Sequence, residues 1–176
     1  MLIRSEKLSL PVACAALCLL AAPGSAAEAA VGQQASSGDL VVMQIATTDP
    51  NKLMDSWGKE AEGVRVESAS AMKRNQPIAT FILFSGCRPN ADGLCNVTAD
   101  FETLAPNGAV YDKHEGVKVW VDRPAPPPKS IGLSEGGLGL RIEDKDVLGG
   151  YVVRATILDH NSGIKLQTAQ TLTAID

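Results

Sequence analysis

Residues 138–159 read LGLRIEDKDVLGGYVVRATILD, and this stretch decides the fold. Leu138, Leu140 and Ile142 alternate with Gly139, Arg141 and Glu143, so one face of an extended segment is apolar and the other polar. Asp144-Lys145-Asp146-Val147-Leu148-Gly149-Gly150 then turns the chain. After it Tyr151, Val153, Ala155 and Ile157 alternate with Val152, Arg154, Thr156 and Leu158. A period of two on both sides of a turn specifies strands. Asp159-His160-Asn161-Ser162-Gly163 is a second turn and Ile164 to Ile175 a last strand, so the spacing predicts a three-strand meander.

Working toward the N-terminus, Val117 to Val121 and Val110-Tyr111 read as strands, with Pro106-Asn107-Gly108 as the turn before them. Val97, Ala99 and Phe101 alternate with Thr98, Asp100 and Glu102, a half-buried strand. Ile78 to Phe84 is apolar at nearly every position, as in a central strand, and is expected to form a hairpin with it. Val64 and Val66 alternate with Arg65 and Glu67, and Asp39 to Thr48 is the first strand. Between these, Asp49 caps a short helix that begins at Pro50 and places Leu53, Met54 and Trp57 on one apolar face. About seven to nine short strands separated by turns define an all-β chain: an antiparallel β-sandwich with one short N-terminal helix.

The arrangement of residues 138–176, and more loosely 76–121, resembles the strand E, turn, strand F region of immunoglobulin-like and fibronectin type III-like domains. That resemblance implies an aromatic residue, often Tyr, just after the turn that packs inward and bonds its hydroxyl to the turn backbone, and Tyr151 is the matching residue. The chain lacks the Cys and Trp spacing of antibody domains. With its Phe84-Ser85-Gly86-Cys87 segment and late Leu-Gly-Leu-Arg-Ile strand it also looks like certain secreted bacterial proteins, a likeness that implies no activity.

The first residues carry Arg4 and Lys7, then an apolar run of about 15 residues from Leu8 to Ala22, then small residues around Pro23 and Gly24. A membrane span needs about 20. The pattern is that of a signal peptide over 1–27, cut after Ala26, Ala27 or Ala29, and it implies an exported protein, periplasmic or extracellular. Residues 28–38 are small and polar and read as a flexible leader; 39–176 make a single sandwich domain of a size that buries a real core. Two of the four cysteines, Cys14 and Cys18, lie in the signal. The other two lie in SGCRPNADGLC, residues 85–95, whose turn formers let Cys87 face Cys95 as a disulfide in an oxidising compartment. No further ligand accompanies them as in a metal site, and the spacing is not that of a redox Cys-x-x-Cys pair.

A net charge of −4 with no basic run argues against nucleic acid or an anionic membrane as partner, and no membrane span follows the signal. His114 and His160 sit in polar turns without a recognisable nucleophile, and neither Gly-x-Ser-x-Gly nor Ser-x-x-Lys occurs after the signal. Two isolated histidines do not make a zinc or copper site. Glu143, Asp144 and Asp146 cluster as a weak calcium candidate, but Asp159 lies about 25 Å along the strand from them and cannot complete a cage. The Asn96-Val97-Thr98 sequon reads as incidental.

The segment Arg123-Pro124-Ala125-Pro126-Pro127-Pro128-Lys129 cannot lie inside a sheet, because proline removes backbone donors. With Trp120 beside it, this is the candidate binding surface: Trp120, Arg123, Pro124, Pro126, Pro127 and Pro128. The expected function is a non-catalytic interaction module for another envelope or secreted protein, without a cofactor. The alternative is a small-ligand or metal-ion carrier of the cell envelope.

Overall fold

Alternating burial lays out the strands. The computed structural model describes residues 31–57 and 68–176. In chain order the elements are β1 (Gln34–Ser37), β2 (Leu40–Thr47), α1 (Pro50–Ser56), β3 (Ala71–Lys73), β4 (Ile78–Ser85), β5 (Leu94–Leu104), β6 (Val110–Pro124), β7 (Gly132–Leu133), β8 (Leu138–Leu140), β9 (Gly149–Asp159) and β10 (Ile164–Ile175). One sheet runs β1-β2-β4-β7, with β8 also on β4; the other runs β3-β10-β9-β5-β6. Every pairing among the described residues is antiparallel except that of β3 with β10. Among the described residues the result is a curled, immunoglobulin-like β-sandwich with one short helix.

The main core lies between the sheets, where Val42, Ile82 and Phe84 meet Val97, Phe101, Tyr151, Val153 and Ile157. Gln44 is also buried there: its amide donates to Val153 O at 3.1 Å and accepts from the Thr168 hydroxyl at 2.8 Å, which joins the sheets through the interior. A second, smaller core covers the outer face of the first sheet. Here Leu53 of α1 and Trp57, the residue that caps its C-terminus, pack on Ile45, Phe81, Leu83 and Leu133. The Asp49 carboxylate caps the helix by accepting from Lys52 N at 3.0 Å, with Pro50 in the first turn. Met54 does not join that face and is 47% exposed.

Three further sequence expectations need correction. β4 and β5 are not a hairpin: they lie in different sheets, and the cysteine loop crosses between them. The reason is compositional. β4 is apolar on both faces, whereas β5 turns Asp100 and Glu102 outward; side by side, they would set those acids beside the covered Phe81 and Leu83. The expected three-strand meander is likewise a β9-β10 hairpin preceded by a strand of the other sheet, because Gly137 lets the β8 segment approach β4 so closely that a Cβ there would lie 2.5 Å from Thr80 O.

The third correction concerns the leader. Residues 34–37 form β1, and Gly32 and Gln33 lace the sheets together, accepting from Ala169 N at 2.9 Å and from Gln44 N at 2.8 Å. Small polar residues suit a short edge strand, whose bonds need only backbone. The opposite side is laced in the same way: Ser134 N donates to Ile82 O, and Glu135 N and Gly136 N donate to Val119 O and Lys118 O on β6. The signal-peptide span 1–27 and the strand expected around Val64 and Val66 lie outside the described residues. No helix among the described residues is long and apolar enough to cross a membrane.

Candidate functional site

The end of β6 carries the local feature that builds the site. Asn96 pairs with Val121 and Cys95 with Arg123, which leaves Asp122 as an extra residue in a β-bulge, at a φ of 55°. Strict alternation would put Trp120 and Arg123 on opposite faces. The inserted residue brings them to the same one, and the Arg123 guanidinium lies 3.8 Å from the Trp120 ring centroid. Such a stack is worth about 0.5–1 kcal/mol at an exposed site.

The surroundings fix this pair. Trp120 packs on Phe84 with centroids 5.4 Å apart and donates its indole N–H to Pro124 O at 2.9 Å. Arg123 Nη1 bonds Glu135 Oε1 at 3.1 Å. Pro124 ends the edge strand, where its missing donor costs no ladder bond. Ser130 then closes the proline segment by donating from its hydroxyl to Pro127 O at 2.6 Å, beside Lys129 at a φ of 67°. Trp120, Arg123, Pro126 and Pro127 form one side of a groove of about 380 Å³, completed by Trp57, Met54, Ile131 and Glu135. Pro128 is exposed just beyond it. Sequence reasoning missed Trp57, Met54, Ile131 and Glu135 as members of this surface, because the fold alone brings α1 and the β7 segment beside β6.

A larger concavity, about 600 Å³, lies on the outer face of the second sheet. It is lined by charges of both signs, with Glu102 paired across strands to Arg154 and Lys113, as on an ordinary solvated sheet face.

Cys87 and Cys95 are joined as a disulfide, both buried, across the crossover between sheets. Asp159 ties this loop to the β9-β10 turn, its carboxylate accepting from Arg88 N at 2.9 Å and Asn161 N at 3.0 Å. That leaves His160, which meets the Thr98 hydroxyl at 2.9 Å, without Asp159 as an orienting partner. His114 pairs with Asp112 in an exposed stretch of β6.

The acidic turn already has its cation. Arg74 Nη1 lies 2.8, 3.0 and 3.1 Å from the carbonyl oxygens of Glu143, Asp144 and Asp146. Asp144 accepts from Asn75, and Asp146 accepts from Glu143 N and from the Tyr111 hydroxyl at 2.7 Å. Carbonyls and carboxylates that a calcium ion would need therefore face the Arg74 guanidinium, neutral donors and, at Glu143, the Lys145 ammonium at 3.0 Å. Among the described residues no group of three His, Cys, Asp or Glu could hold a metal ion. The Tyr111 bond and Glu143 N hold the Asp146 carboxyl below its ordinary range; burial and Asp146 push the Tyr111 hydroxyl well above its own. Tyr151 packs edge-on to Tyr111 at 5.3 Å and donates its hydroxyl to Val147 O at 2.7 Å.

No protein-family model matches the chain. No curated protein matches it either. Among solved structures it is similar to a Niemann-Pick type C2 protein from Japanese carpenter ant, with a TM-score of 0.42 and 8% identity over 82% of this chain and 93% of that one. It is also similar to the CARDB domain of a Pyrococcus furiosus protein solved with di-metal ions, with a TM-score of 0.38 and 10% identity over 80% of this chain and 93% of that one. At that identity and superposition neither likeness says anything about what this chain does.

Proposed function

We propose that this chain is an exported, non-catalytic protein-interaction module and that the groove beside Trp120 is its docking surface. The observation that carries this reading is the Arg123–Trp120 stack, aimed by a bulge into a trough with a second tryptophan and two exposed apolar side chains, Met54 and Ile131. Trp and Arg are the residues that most often dominate binding energy at protein interfaces, and a bulge that re-aims a side chain is a feature of functional edges. The signal-like sequence of residues 1–27 supports export, and a disulfide suits the oxidising compartment it leads to.

A photo-crosslinking side chain at Ile131, compared with one at Gln167 in the charged concavity of the other sheet, tests the docking surface in cells that make the protein. Covalent adducts are expected from position 131 and not from 167. Adducts only from 167, or none from either, would overturn the proposal.

A further inference from the structure

We infer that the partner in this groove is a second copy of the chain, each copy inserting its Pro124–Pro128 segment into the other's trough. This deepens the docking reading and rests on it. An isologous pair requires a patch that complements itself. This patch carries both halves of a known recognition mode, an aromatic-lined trough and, along its rim, a proline-rich segment that runs on from β6 and ends in the Pro127–Ser130 turn.

The segment is held at the rim of its own trough. Its first carbonyl is bound to the Trp120 indole, the Pro127 carbonyl is bound twice by Ser130, and Asp122 and Lys129 at either end sit in the left-handed region. Pro127 and Pro128 are thereby left exposed and stiff, with little conformational freedom left to lose on association. The charges fit the same symmetry. Among the described residues that line the groove, Arg123 is the cation and Glu135 the anion, bonded to each other at 3.1 Å within one copy, and a two-fold axis beside them sets each Arg123 against the other copy's Glu135 as well.

Sedimentation of the purified protein across a concentration series tests this directly. The mass is expected to double. Arg123→Glu puts acid opposite acid and Glu135→Arg puts cation opposite cation, so each variant alone should dimerise more than about tenfold more weakly, while keeping its circular dichroism spectrum. An equimolar mixture of the two variants should recover the dimer, because opposite charges meet again across the axis. Ile131→Asp should weaken the dimer with no such rescue.

A wild-type chain that stays monomeric overturns the inference; so does a dimer that survives both charge variants, or variants that fail to rescue each other. If the chain is monomeric and a crosslinker at Ile131 still captures a different protein, the docking surface stands without the self-pairing. If it is monomeric and Ile131 captures nothing, both fall.

Discussion

Asp146 shows how much one side chain can organise. It accepts from Tyr111 and from Glu143 N, and the same turn gives Tyr151 its backbone partner at Val147 and Arg74 its three carbonyls. Because the folded protein holds the Asp146 carboxyl below its ordinary value, its contribution is present at neutral pH and is lost as pH falls through and below the usual carboxylate range, near pH 4. Asp146→Asn should therefore be less stable than wild type at pH 7, with the two unfolding midpoints converging in acid. Denaturant titrations at both ends of that range would show it, and a constant gap would mean the bond contributes nothing through ionisation. At alkaline pH the signs reverse. Both tyrosines have raised hydroxyl pKa values, chiefly through burial, so the stability held by their neutral forms is lost above the ordinary tyrosine range, near pH 10. The position of Tyr151 after a turn was readable in the sequence. Arg74, about seventy positions away from its carbonyl partners, was not, because no local pattern announces a long-range guanidinium contact.

At the level of elements, periodicity located strands well and their partners poorly. The alternation in 138–142 and 151–158 marked the inward residues, but a strand's own sequence does not say which sheet it joins. The apolar run of β4 contained the missing signal: buried on both faces, it called for a helix over its outer side, and α1 supplies one. Small polar residues at 34–37 looked like leader because an edge strand held by backbone bonds needs no apolar side chain. The bulge at Asp122 was equally hidden, since nothing in DRPAPPP marks an inserted residue, yet it places Arg123 over Trp120. The crossing topology also gives the disulfide a larger task than holding one hairpin in register, for it ties the end of β4 in one sheet to the start of β5 in the other. Loop-closure entropy for so short a ring is worth roughly 2.5 kcal/mol. Cys87→Ser should lower stability by about that much with the β-sheet circular dichroism spectrum kept. A variant as stable as wild type would show that Asp159 and Asn161 hold the crossover without it.

Across the whole molecule, the sandwich is curled and laced on both sides, by residues 32–37 and by 134–136, so a rigid body presents the groove. Both tryptophans of the chain, Trp57 and Trp120, line that groove, and Met54 and Ile131 stand exposed in it. Other exposed apolar residues, Val110, Val147 and Ile175 among them, lie outside it. Radical footprinting of the protein in its native extract, against the same protein purified and diluted, distinguishes these surfaces residue by residue. Protection is expected at Met54, Trp57, Trp120 and Ile131, with Val110, Val147 and Ile175 unchanged. Equal reactivity of the four groove residues in the two samples, or protection confined to the other three, would contradict the assignment of this groove as the docking surface.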